Sequence, residues 1–165
     1  MHILDPALDI RLDQINLNSE LAELILQLVP VVNSNRASNQ GGWQGELHHR
    51  RREEHHWITP LMQAIEDNVK AYKPNVRLYR IWFNVNGTGH SNRWHKHSRD
   101  ELVTVTYVKT NPESGAIEFR HNDYTYAYTP SPGEILVFSG AIEHRVLENT
   151  SDEPRISIAC NFKIV

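Results

Sequence analysis

One cysteine, Cys160, stands in 165 residues. That excludes an internal disulfide, a cysteine-based zinc site and a CxxC redox centre. Charge of one sign is equally scarce in net terms: 17 lysines and arginines face 20 aspartates and glutamates, for a formal charge of -3. No global field therefore draws the chain to nucleic acid or to an anionic lipid surface. No apolar run approaches the ~20 residues that a membrane helix needs, and the start, MHILDPALDI, has no cationic segment leading into an apolar stretch. A soluble, reducing, cytoplasmic setting is the expectation. The conspicuous surplus is histidine, of which there are 10, so any metal chemistry must use imidazole and oxygen ligands.

The length suits one domain, 1–165, with a helical and looped front over 1–75 and a strand-rich core over 76–165. In the front, Leu21, Leu24, Ile25 and Leu28 form one helical stripe after Ser19, a candidate N-cap. Leu61, Ala64, Ile65 and Val69 form another over Thr59 to Tyr72, with Thr59 preceding a proline at the first helical position. Between them, Val31 to His56 reads as a long surface connection.

Thereafter the period changes. Val76 to Val85, Leu102 to Thr110, Ala116 to Arg120, Tyr124 to Tyr128, Glu134 to Phe138, Glu143 to Leu147 and Arg155 to Ile164 are short and rich in β-branched and aromatic residues. Asn-Gly, Pro-Glu-Ser-Gly, Pro-Ser-Pro-Gly and Asn-Thr-Ser-Asp separate most of them as turns. This pattern predicts an α+β protein: an antiparallel jelly roll with about two N-terminal helices packed on one outer face.

Chemistry concentrates in GHSNRWHKHSRDE. In extended backbone, alternate residues point the same way, so His95 and His97 can converge on one ion while Lys96 faces out. His144, at the head of a later predicted strand, could be brought to them across a barrel mouth. In the last strand, RISIACNFKI, Arg155, Ser157, Ala159 and Asn161 share one face, and Ile156, Ile158, Cys160 and Phe162 the other. Either the Arg155 face meets solvent and its polarity is trivial, or it turns into a barrel, where the arginine needs an anion and a bidentate carboxylate assisted by Ser157 is its natural partner.

The order H-x-H, a distant histidine, then R-x-S resembles the signature of the iron(II)/2-oxoglutarate-dependent oxygenases. The stretch from Trp82 to Phe162 is similar to a small branch of that superfamily through Trp82 and Asn84, His95 and His97, Tyr107 and Val108, Pro132-Gly133 to Phe138, His144, and Arg155-Ile156-Ser157 to Asn161. Gly41-Gly42-Trp43-Gln44 resembles the same branch's upstream segment. The resemblance implies a double-stranded β-helix, cupin-like in shape, holding Fe(II) by His95, His144 and a third ligand. It also implies 2-oxoglutarate as co-substrate, with its distal carboxylate on Arg155 and Ser157. Dioxygen and an unidentified prime substrate complete the partners, and oxidative decarboxylation of the keto acid would be coupled to hydroxylation.

Most of the superfamily has a carboxylate where His97 stands. The third ligand is therefore open between His97, which has the better spacing, Asp100 or Glu101 bending back, and an empty position. Tyr79 and Tyr107 could lend a phenol to the keto acid, Asn84 and Asn161 could orient bound groups, and Trp94 could wall the site. His90 and His121 read as loop residues, and the cluster from His48-His49 to His55-His56 as a charged, solvated face. Two other readings use the same residues: a cupin-like metal enzyme without a keto acid, and a jelly-roll binding module in which the histidines are structural.

Overall fold

A computed structural model describes residues 1–47 and 55–165; His48 and His49 of the charged cluster lie outside these. The chain forms β1 (His2–Asp5), β2 (Ile10–Gln14), α1 (Leu21–Leu26), β3 (Asn39–Gln40), β4 (Trp43–Glu46), α2 (Ile58–Tyr72), β5 (Val76–Asn86) and β6 (Ser91–His95). Then follow β7 (Glu101–Lys109), β8 (Ile117–His121), β9 (Tyr124–Tyr128), β10 (Glu134–Ser139), β11 (Glu143–Val146) and β12 (Arg155–Ile164). The strands make two antiparallel sheets, a 7-stranded one in the order β1-β2-β10-β7-β12-β5-β4 and a 5-stranded one in the order β3-β6-β11-β8-β9. The expected jelly roll is this pair.

The central strands of the larger sheet are buried on both faces, and each face has its own cluster. Ile156, Ile158, Cys160 and Phe162 of β12, with Leu78, Ile81 and Phe83 of β5, pack against Leu21 and Ile25 of α1 and Ile58, Ile65 and Val69 of α2. Both helices thus lie on one outer face, as the helical stripes require. The opposite face of β7 and β10 gives Val103, Val105, Tyr107, Leu136 and Phe138, which meet Ile117 and Phe119 of the smaller sheet. With that inter-sheet core confined to one end, the inward faces of β12 and β5 are left to line a cavity.

The structure corrects the front of the molecule in several places. The N-cap of α1 is Glu20, and it is Asn18 rather than Ser19 whose side chain accepts the Glu20 N–H, at 2.9 Å. The second helix starts a residue early, at Ile58 after Trp57, so Thr59 lies inside it. Two strands precede α1; β2 pairs with β10 and extends the larger sheet, a pairing across the chain that no local period announces. The supposed surface connection holds β3 and β4, which join opposite sheets. It is anchored by the buried indole of Trp43, which donates to the Val32 carbonyl at 2.9 Å.

Gly115 connects fold and site. Its φ is +88°, and a Cβ there would collide with the Leu147 and Glu148 carbonyl oxygens, beside the Ser114 and Leu147 carbonyls that receive Arg155. Gly115→Ala is expected to destabilise the protein by at least about 2 kcal/mol, the scale of backbone strain with no cheap relief. Urea unfolding of parent and variant checks this.

Candidate active site

Cross-strand register builds the cavity floor. On the face of the larger sheet away from the helices, Gln44 of β4, Asn84 of β5, Ser157 of β12 and Tyr107 of β7 follow one another as paired neighbours. Arg80 and Asn161 pair in the same way further along. All six line a cavity of about 390 Å³, whose remaining wall includes Val103, Val105, Ile117 and Val146. Among the described residues no aspartate or glutamate lines it, while Arg80, Arg93, Lys96 and Arg155 do.

Arg155 occupies the deep end with 1% of its surface exposed. Its Nη1 donates to the Ser114 carbonyl and, at 3.2 Å, to that of Leu147, but Nη2 is buried with no hydrogen-bond partner among the described residues. Nearby, the fully buried Tyr107 hydroxyl is also without one. Burial pulls the Arg155 pKa below its usual value, with Tyr107 acting the other way, and it pushes the Tyr107 phenol well up. Tyr107 therefore stays a neutral O–H donor. A guanidinium edge and a phenol, both unsatisfied, carry the donors that a carboxylate would accept.

At the other end, three imidazoles converge. His95 and His144 are directly opposite on β6 and β11, so they meet as cross-strand neighbours within the smaller sheet, rather than across the mouth as the sequence suggested. Their ring centroids are 4.2 Å apart. His97 follows the end of β6; its backbone N–H donates to the Gly140 carbonyl at 2.8 Å, and a Cβ on Gly140 would run into the Ser98 carbonyl and the His97 side chain. One potential ligand atom from each of the three histidines lies within 4.8 Å of the others.

Each ring is shaped by its surroundings. His95 Nδ1 lies 2.8 Å from the Arg93 carbonyl and His144 Nδ1 3.0 Å from that of Ile142. A carbonyl can only accept, so both Nδ1 atoms carry hydrogen and both Nε2 atoms keep a lone pair. Burial lowers the pKa of His95, of His144 well below its usual value, and of His97 to about 4, with His95 adding to the effect on the latter two. Three imidazoles that are uncharged at neutral pH bring together the ligand type that suits a divalent transition metal.

The other sequence candidates divide. Asn84 and Ser157 are buried in the cavity wall, and Asn161 reaches His97. Asp100 and Glu101 stay out of the histidine group and bind Lys163 at 3.0 and 2.9 Å. Tyr79 is not in the cavity. It is the unpaired residue of a bulge between Leu78 and Arg80, and its phenol turns to Glu101; burial, then that hydrogen bond, push its pKa up to about 12. Trp94 faces away as well, between the guanidinium groups of Arg120 and Arg145 at 4.3 and 4.7 Å. Gly140, Trp82 and Gln44 are site elements whose roles sequence reasoning missed, although Trp82 and Gln44 sit in the motifs it quoted.

The family described as "Putative 2OG-Fe(II) oxygenase" matches residues 120–161, about a quarter of the chain. That stretch contains His144, Arg155, Ser157 and Asn161. Among solved structures, a Pseudomonas putida prolyl-4-hydroxylase aligns over 94% of this chain and 92% of its own, with 16% identity and a TM-score of 0.69. The non-heme alpha ketoglutarate dependent epimerase SnoN from nogalamycin biosynthesis aligns over 93% and 76%, with 13% identity and a TM-score of 0.74. HygX from Streptomyces hygroscopicus, with nickel and 2-oxoglutarate bound, aligns over 93% and 82%, with 9% identity and a TM-score of 0.69. At these identities the structural likeness speaks for the fold. A search of the curated proteins finds no match. Among the described residues, no helix is long and apolar enough to cross a membrane.

The depressed histidine pKa values have a consequence for the metal-free protein. As pH falls below about 6.5, the unfolded chain takes up protons that the folded imidazoles refuse, so stability falls with pH. For His97 the loss continues to about 4, where the folded ring also protonates. The Tm of the metal-free protein should therefore drop between pH 6.5 and 4, and His97→Gln should make the drop shallower. Parallel curves for parent and variant would contradict this.

Proposed function

We propose that this protein is an Fe(II)- and 2-oxoglutarate-dependent dioxygenase that hydroxylates a substrate still to be identified. The chain is read as one such domain, acting in the cytoplasm. His95, His144 and His97 are the residues that would hold the iron. Arg155, with Ser157 and Tyr107, would hold the distal carboxylate of the keto acid, and Asn84 would face its midsection from the cavity floor.

The observation that carries this reading is the pair of unsatisfied donors at the deep end, the Arg155 Nη2 and the Tyr107 hydroxyl. They share one cavity with three neutral imidazoles. A buried guanidinium without an anion costs several kcal/mol, and a carboxylate seated between these donors removes that cost. A keto acid has a second carboxylate and a keto oxygen at its other end, which suits a metal with open positions. When bound, iron with the keto acid supplies the oxidative chemistry, namely decarboxylation to succinate and carbon dioxide coupled to substrate oxidation.

The chain's own groups have simpler tasks. Arg155 and Tyr107 orient the keto acid along the floor. Val103, Val105, Ile117 and Val146 keep water from the middle of the cavity, which strengthens every polar interaction within it. Arg80, Arg93 and Lys96 are exposed members of the cavity lining and would flank an entering prime substrate.

Two variants test the assignment. Arg155→Lys keeps the charge but loses the planar fork, and it should weaken apparent affinity for 2-oxoglutarate by about ten- to a hundredfold, the range for a charged hydrogen bond. Tyr107→Phe should weaken it about two- to tenfold, yet leave the ligand-free protein as stable as the parent or more so, because a buried hydroxyl without a partner has been removed. Succinate release at varied 2-oxoglutarate and thermal melts without it read both effects. Unchanged keto-acid affinity in Arg155→Lys would favour a cupin-like enzyme without a keto acid.

A further inference from the structure

A neutral imidazole has one N–H and one lone pair. In His95 and His144 the backbone carbonyls of Arg93 and Ile142 hold the hydrogen on Nδ1 and leave Nε2 free. His97 has the opposite arrangement. Its Nδ1 lies 3.0 Å from Nδ2 of Asn161, a nitrogen that can only donate. The single lone pair of His97 is therefore spent on Asn161, and its hydrogen sits on Nε2.

Asn161 cannot turn its amide to relieve this. Its Oδ1 accepts the indole N–H of Trp82 at 3.3 Å, and its Nδ2 also donates to Glu101 Oε2 at 3.2 Å. An indole N–H never accepts and an ionised carboxylate never donates. Glu101 is kept ionised: burial opposes the charge, but hydrogen bonds from Tyr79, Lys163 and Asn161 outweigh it. A reversed amide would set NH₂ against N–H at Trp82 and oxygen against carboxylate at Glu101. Lys163, Glu101, Asn161 and Trp82 thus form one chain of contacts that ends on the His97 ring.

From this we infer that Asn161 is a positioning residue that makes His97 a conditional third ligand. His95 and His144 offer lone pairs already set by the backbone, whereas His97 can ligate only by breaking its bond to Asn161. That holds whichever of its nitrogens turns to the metal: through Nδ1 it must displace the amide, and through Nε2 it must move its hydrogen to Nδ1, where the amide N–H opposes it. The third position is consequently the exchangeable one, held by His97 or yielded to another ligand. The inference rests on the metal-binding reading of the previous subsection and deepens it.

The test begins with the metal-free protein. A ¹⁵N–¹H correlation of the histidine side chains should find hydrogen on Nε2 of His97 and on Nδ1 of His95 and His144; His97 with hydrogen on Nδ1 overturns the inference. Titration with Co(II) follows. Asn161→Ala should tighten binding about two- to tenfold, the worth of one neutral hydrogen bond, and the gain should vanish when His97→Ala is added. Asn161→Asp, whose carboxylate accepts from Nδ1–H, should move the His97 hydrogen and also tighten binding, so it serves if Asn161→Ala does not fold. Equal or weaker Co(II) affinity in the Asn161 variants, or a gain that survives without His97, contradicts the proposal. If the parent binds no Co(II) although its tautomers are as described, the metal reading itself fails.

Discussion

The structure is organised around a buried guanidinium with no carboxylate to pair with. Arg155 sits on a central strand, between two sheets, and among the described residues no acidic side chain forms an ion pair with it. Two loop carbonyls, from Ser114 and Leu147, take one edge of the guanidinium; the other edge belongs to a cavity that no acidic side chain lines among the described residues. Such an arrangement is costly in the empty protein, and it becomes favourable only when an anion enters. The left-handed turn at Gly115, the buried phenol of Tyr107 and the polar row from Gln44 to Tyr107 all make sense as the frame that holds this charge ready.

That frame depends on a sheet with two different faces. β12 is greasy toward the helices and polar toward the cavity because its residues alternate, and α1 and α2 must cover the greasy side for the polar side to be the interior of a cavity. The histidine end is built by another means. His95 and His144 are brought together by strand pairing, while His97 is held by a loop through Gly140 and by the side-chain chain running from Lys163 to Asn161. Two imidazoles on paired strands and one in a hydrogen-bonded loop differ in how firmly their lone pairs are presented, although all three belong to histidines.

Much of this was legible in the residues themselves. The alternation in RISIACNFKI identified which side of β12 faces the cavity, and Tyr124–Tyr128 and Arg155–Ile164 are strands with the boundaries their composition suggested. Local periodicity could not reveal β1 and β2, whose stability comes from pairing with β10, remote in sequence, or β3 and β4, too short to display a period. Tyr79 shows what a residue list leaves out: Asn84, Trp82 and Arg80 alternate onto the cavity face, whereas Tyr79 is the unpaired residue of a bulge and its phenol turns to Glu101. Nor could spacing reveal the state of His97, since Asn161 and Glu101 approach it only through the pairing of β12 with β7.

The most direct measurement of the central claim is anaerobic absorption spectroscopy of the parent protein with Fe(II), before and after addition of 2-oxoglutarate. If Arg155 and Tyr107 seat the keto acid beside the histidine cluster, a weak visible charge-transfer band should appear only when iron and keto acid are both present, and it should saturate at one iron per chain. Bound iron with no band on addition of 2-oxoglutarate would contradict the account, because the imidazoles would then hold a metal that the keto acid never reaches.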